Sequence, residues 1–172
     1  MIIMLVSCSI DGIIGTTTDN GLIFDSEVLD IFIDTNIKGK TIVMGRTTFE
    51  GFIAPPANST VVVLSRTLAP GTKDGIHYYN DYRKILKDHP SFLVLGGQQI
   101  FNIFKPFTDQ LILVMFGLVL SGEDYRYFPL ADLDKEFYVK EESAPVQDRE
   151  KRTGLKTSIV FSRLNKLREN IH

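Results

Sequence analysis

The chain has 172 residues, a length that suits one domain. Its apolar share of 44% can build a core without disulfides or a structural metal. A formal net charge of −2, one Cys and three scattered His argue against a basic nucleic-acid binder, a disulfide-framed secreted mini-protein and a zinc module.

In chain order, Met1 to Val6 has no basic start and no evident cleavage site, and reads as part of a first strand, Ile2 to Ser9, rather than a signal peptide. Glu27 to Ile33 begins a helix, with Asp25 or Ser26 as cap. Thr41 to Met44 is a second strand, followed by a short helix over Thr47 to Phe52. Thr60 to Leu64 is a third strand. Asn80 is expected to cap a helix that turns Tyr82, Ile85 and Leu86 to one face. Phe92 to Leu95 is a strand leading into a helix over Gln98 to Phe104, with Ile100, Phe101, Ile103 and Phe104 inward.

Leu111 to Leu118 continues the strand series. The apolar stretch there, to Leu120, has about ten residues against the ~20 of a membrane-spanning helix. Phe137 to Glu141 and Leu155 to Phe161 form a C-terminal antiparallel hairpin around the polar segment Glu142 to Thr153, which is expected to be a mobile loop. Residues 165–172 are expected to fray.

The early strands are nearly continuous in β-branched and apolar residues, as strands covered on both faces are. Alternation with helices implies right-handed crossovers and a mostly parallel sheet. The expected architecture is α/β and three-layered, with a central mixed sheet of about eight strands and about four helices. Residues 1–164 form one domain and 165–172 a tail. A cytoplasmic location is the default, with no nucleic-acid or membrane partner.

Four segments carry chemistry. In Met44-Gly45-Arg46-Thr47-Thr48 a buried strand ends at Gly and a helix begins, a place where unpaired N–H groups, a guanidinium and two hydroxyls suit phosphate. The plain alternative is a structural turn with a capping Thr. Leu64-Ser65-Arg66 ends the next strand in the same way, where parallel sheets bind ligands; a solvated loop Arg is the competing view. Leu95-Gly96-Gly97-Gln98-Gln99 lets a ligand approach the backbone closely, although a Gly pair alone is a weak signal. Ser9-Ile10-Asp11-Gly12-Ile13-Ile14-Gly15 makes a turn, and the Thr-, Asn- and Gly-containing stretch after Gly15 reads either as a mobile loop over a site or as a plain surface loop.

Taken together, with Gly122 to Pro129, these segments resemble the dihydrofolate reductase superfamily over nearly the whole chain. That group includes the dihydrofolate reductases and the reductase domains of riboflavin biosynthesis. The resemblance implies an NADPH-dependent oxidoreductase with a small pterin or pyrimidine substrate. It implies that Gly45, Arg46, Thr47, Thr48, Leu64, Ser65 and Arg66 meet the adenosine 2′-phosphate and pyrophosphate. Leu95, Gly96, Gly97, Gln98, Gln99 and Ile100 would pack against the pyrophosphate and nicotinamide. Ser7, Ile14 and Gly15 would border the nicotinamide, and Leu5, Val6, Ile31 and Phe101 the substrate.

Glu27 takes the place of the family's catalytic acid if Ile31 stands for its helix Phe, since Thr35 then falls four residues on. In the other register Val28 occupies that place and Glu27 is a first-turn helix residue. A shift of one residue turns the helix by about 100°. Three positions depart from the folate-enzyme pattern: Ala57 to Thr60 holds no Arg, Leu22 or Ile23 replaces an aromatic, and Val114 replaces a Thr. Reduction of dihydrofolate is the leading reading. A riboflavin-type reductase acting on a ribosylamino-pyrimidine phosphate is second, since Ser9-Ile10-Asp11-Gly12 resembles its start. A nucleotide-binding protein without catalysis is third. Monomer and homodimer remain open. Cys8 is expected to be a buried small hydrophobe, His77 and His89 to lack catalytic roles, and Phe101, Phe104 and Phe107 to be core.

Overall fold

A computed structural model describes residues 1–17, 36–51, 58–117, 119–120, 124–144, 146–147 and 155–164. The strands are β1 (Ile2–Ser9), β2 (Ile13–Thr16), β3 (Thr41–Gly45), β4 (Thr60–Leu64), β5 (Gly71–Lys73) and β6 (Ile76–Tyr79). They continue as β7 (Phe92–Gly96), β8 (Gln110–Phe116), β9 (Tyr125–Tyr127), β10 (Phe137–Glu142), β11 (Val146–Gln147) and β12 (Leu155–Arg163). The helices are α1 (Arg46–Glu50), α2 (Tyr82–Asp88), α3 (Gln98–Phe104) and α4 (Leu133–Glu136), with a 3-10 turn over Lys105–Phe107. The helix expected from Glu27, its caps Asp25 and Ser26, Ile31 and the tail 165–172 lie outside the described residues.

The main sheet runs β10-β12-β8-β1-β7-β3-β4-β6-β5, with β11 beside β12. The pairs β8–β1, β1–β7, β7–β3, β3–β4 and β4–β6 are parallel. The C-terminal strands are antiparallel to each other and to β8. The mostly parallel α/β class with a C-terminal hairpin is therefore as expected. The sheet has ten strands rather than about eight, because β5 and β6 extend one edge and β11 lies inside the expected loop. A separate ladder joins β2 to β9.

Strand alternation sends successive side chains to opposite faces, and both faces are buried. On one face, Met4, Val6, Cys8, Val43, Val62 and Val94 pack with Ile85 of α2 and with Ile100, Phe101 and Phe104 of α3. On the other, Leu5, Ile42, Met44, Val61, Val63 and Leu93 pack with Ile37, and Phe49 of α1 lies against them. This two-sided burial explains why the strands read as unbroken apolar runs.

Two local expectations are corrected. Asp81, not Asn80, caps α2: its carboxylate accepts from the Arg83 N–H at 2.9 Å. Phe107 is 41% exposed, because the helix tightens into the 3-10 turn at Pro106 and loses the inward period; its ring lies 6.0 Å from that of Tyr82.

Arg163 fastens the end of β12. It donates to the Thr108 carbonyl at 2.5 Å and to the Lys105 carbonyl, stacks 4.5 Å over the Phe137 ring, and reaches Glu136 at 3.4 Å. Lys105 pairs with the same Glu136 at 2.9 Å. These cations, with Lys105 first among them, hold the Glu136 carboxyl below its ordinary range.

Candidate functional site

Register brings three strand ends to one carboxyl edge of the sheet. Gly45 of β3 pairs with Leu64 of β4, and Met44 pairs with Gly96 of β7. In parallel sheets the crevice outside such ends is where ligands bind. The β3–α1 and β7–α3 junctions touch. A Cβ built on Gly45 would stand 3.0 Å from Cγ1 of Ile100, and one on Gly97 would stand 3.4 Å from the Thr48 hydroxyl. Gly96 has φ +112°, and its Cβ would meet the Phe101 ring at 2.8 Å. The Gly96–Gly97 peptide is cis. Gly45 and Gly97 thus let the α1 and α3 junctions approach each other where side chains would crowd the cleft, and Gly96 leaves room for the Phe101 ring.

Around this cleft, Arg46 is exposed and Thr47 and Thr48 are half-buried at the start of α1, which has no side-chain cap. Nη1 of Arg46 donates to both carboxylate oxygens of Glu50, at 2.9 and 3.0 Å. Ser65 is buried. Its N–H donates to the Tyr79 carbonyl at 2.8 Å, and its hydroxyl receives the N–H groups of Thr67 and Leu68 at 3.2 Å each. It therefore shapes the loop that presents Arg66, which is exposed and has no ion pair among the described residues. Gln98 is half-buried and Gln99 exposed; Leu64 and Leu95 are half-buried at their strand ends, and Ile100 is buried in the core.

At the end of β1, Ser7 is half-buried and pairs with Val114. Ile14 and Gly15 lie on β2 and are buried. The stretch after Gly15 is tied down at its start. Thr16 is in β2, and the Thr17 N–H donates to the Asp124 carbonyl at 2.9 Å. The part from Thr18 onward lies outside the described residues. The Asp11-Gly12 turn is present: the Gly12 N–H donates to the Ser9 carbonyl at 2.9 Å, and the Ser9 hydroxyl bonds the Asp11 carboxylate.

Of the substrate-side residues, Val6 and Phe101 share one face of the sheet while Leu5 faces the other. Phe101 stands edge-on to Phe128 at 5.6 Å, so the Phe128-Pro129 segment backs the Gly96 turn. Glu27 and Ile31 lie outside the described residues. Cys8 is fully buried as expected, and burial, then the nearby Asp11 charge, pushes its thiol up to about 12.

Two features escaped the sequence reading. Glu50 is the partner of Arg46, which the i, i+4 spacing could have revealed. His77 and His89 meet with ring centroids 6.4 Å apart, and the Tyr79 hydroxyl bridges Asp88 at 3.0 Å and His89 at 3.3 Å. Burial, then the His77 charge, lowers the His89 pKa. The period of two on β6 places His77 and Tyr79 together, a signal hidden by the distance in sequence to residues 88 and 89.

A mostly parallel α/β sheet with three glycine- or Arg-bearing turns at one carboxyl edge belongs to the class of folds that bind ligands in a crevice at such an edge. A family model described as dihydrofolate reductase matches residues 1–163. The dihydrofolate reductase of Haemophilus influenzae is 26% identical over 129 residues, covering 73% of this chain and 77% of that protein. That of Ureaplasma parvum serovar 3 is 29% identical over 89 residues, covering 50% of this chain and 56% of that one. The fold is shared with the solved dihydrofolate reductase from Enterococcus faecalis complexed with NADP(H) and RAB-propyl, at TM-score 0.81, 20% identity, and coverage of 95% and 96% of the two chains. The chain belongs to the dihydrofolate reductase family.

Proposed function

We propose that this chain is an NADPH-dependent oxidoreductase that reduces 7,8-dihydrofolate to tetrahydrofolate. The observation that carries the reading is the convergence of the β3–α1, β4 and β7–α3 turns at one sheet edge, in a chain matching the family over residues 1–163. The donor chemistry fits a phosphorylated dinucleotide. Arg46 already holds a carboxylate through Nη1, and its guanidinium offers further N–H donors to a phosphate. Thr48 faces the bare backbone of Gly97 across the cleft, which suits a pyrophosphate passing between the two turns.

In this reading Arg46 and Arg66 hold the 2′-phosphate. Thr47, Thr48 and Gly97 hold the pyrophosphate, and Ser65 fixes the loop that carries Arg66. Ser7, Ile14 and Gly15 border the nicotinamide. Bound NADPH supplies the hydride. The protein aligns donor and acceptor and keeps water from the reacting carbons. Glu27 is assigned from the sequence pattern: its carboxylate grips the pyrimidine edge of the pterin and helps deliver a proton to the ring nitrogen. One domain over 1–164, a tail over 165–172 and a cytoplasmic setting complete the reading. Among the described residues no helix is long and apolar enough to cross a membrane.

Mass analysis of the product tests the activity. NADPH deuterated at the transferring position should yield tetrahydrofolate carrying one deuterium. Absence of tetrahydrofolate, with the label instead entering a ribosylamino-pyrimidine phosphate, would move the chain to the riboflavin-type activity.

A further inference from the structure

We propose that Glu50 is a specificity-determining residue: it competes with the 2′-phosphate for Arg46 and so limits the preference for NADPH over NADH. The inference rests on the reading that Arg46 holds that phosphate.

The geometry is direct. Nη1 of Arg46 touches both Glu50 oxygens at 2.9 and 3.0 Å. A phosphate that forks onto Nη1 and Nη2 must displace or share the Glu50 contact at Nη1. The pair also runs against its helix. α1 carries no acid in its first turn and no base in its last, with Arg46 at its start and Glu50 at its end. Helix dipoles favour the opposite arrangement, so a role in steadying α1 is a poor account of the pair.

Both side chains are 45% exposed, so the contact is weak enough to exchange. Once a phosphate takes Arg46, the Glu50 carboxylate remains one helical turn away and repels the new dianion. Among the described residues no other cation pairs with Glu50. NADH carries no 2′-phosphate and leaves the Arg46–Glu50 pair intact. Glu50 therefore taxes NADPH and spares NADH.

The test is equilibrium binding of NADPH and NADH, followed by nicotinamide fluorescence, for the wild type, Glu50→Gln, Arg46→Gln and the double variant. A thermal melt of each checks that the fold is kept. Glu50→Gln should tighten NADPH by about two- to fivefold, the size of an exposed pair, and leave NADH unchanged. Arg46→Gln should weaken NADPH selectively, by about tenfold or more, and in its presence Glu50→Gln should lose most of its effect. The inference is overturned if Glu50→Gln weakens NADPH, leaves it unchanged, or tightens NADH equally while Arg46→Gln still acts selectively on NADPH. If Arg46→Gln leaves the NADPH-to-NADH ratio unchanged, the reading of Arg46 fails and the inference fails with it.

Discussion

Replacing Gly96 by Ala should destabilise the protein through two separable effects. The residue sits at φ +112°, where a Cβ meets the backbone, at a cost of about 1–2 kcal/mol. The new methyl would also land 2.8 Å from Cζ and 2.9 Å from Cε2 of Phe101. Phe101 is 4% exposed and braced by Phe128, so its ring has little room to retreat. Overpacking of this kind costs about 1–3 kcal/mol. The sum is about 2–5 kcal/mol, a large share of a domain's stability. Urea unfolding followed by circular dichroism should show the midpoint fall by about 1–2.5 M, at an unchanged slope of about 2 kcal/mol/M.

Gly39→Ala is the control. It has φ +73° with no heavy atom within 4 Å of its Cβ, so it should lose only the backbone part. Trimming the ring in Gly96→Ala/Phe101→Leu should cost less than the two single changes added together. A Gly96→Ala midpoint equal to that of Gly39→Ala would refute the steric argument, and one equal to wild type would refute both parts.

Glu136→Gln should lose about 1 kcal/mol at neutral pH, reduced by the solvent access of the Lys105 and Arg163 contacts. Because folding lowers the Glu136 pKa, its contribution is fully present above the ordinary carboxylate range and fades as pH falls through the lowered value. Melting curves of the two proteins should therefore converge in acid; a gap that widens there would contradict the assignment. Cys8, pushed up to about 12 and fully buried, should resist a thiol-labelling reagent at pH 8 until the protein is unfolded in denaturant, and rapid labelling of the native protein would show the burial to be wrong. Ser65→Ala should release the Thr67 and Leu68 N–H groups, lower stability by about 1 kcal/mol and weaken NADPH binding; unchanged affinity would mean that this loop does not carry the cofactor.

The parts of the fold visible in the sequence are those governed by local pattern. β1, β3, β4, β7 and β8 are covered on both faces, so each is an unbroken apolar run that period alone reveals. α3 begins and ends where the Gly pair and its apolar spacing put it. The missed strands lack that signal. β5 is exposed along its length, and β6 is mostly half-buried at the sheet edge, so neither reads as a core strand. β2 and β9 are short, and their pairing joins segments more than a hundred residues apart.

The site divides in the same way. Turn-bearing residues such as Gly45, Arg46, Gly96 and Gly97 announce themselves by backbone need, whereas their convergence follows only from sheet register. The partner of Arg46 was missed because a charged pair on an exposed helix face looks like ordinary solvated surface. Glu27 depends on a one-residue helix register, a quantity that spacing alone leaves open.

The most direct test of the account is steady-state loss of the NADPH absorbance band with dihydrofolate, for the wild type and Glu27→Gln. The account predicts turnover by the wild type and a fall of about a hundredfold or more at neutral pH in the variant, the contribution of a positioned acid, with NADPH affinity preserved. No turnover by the wild type, or equal turnover by both proteins, would contradict it.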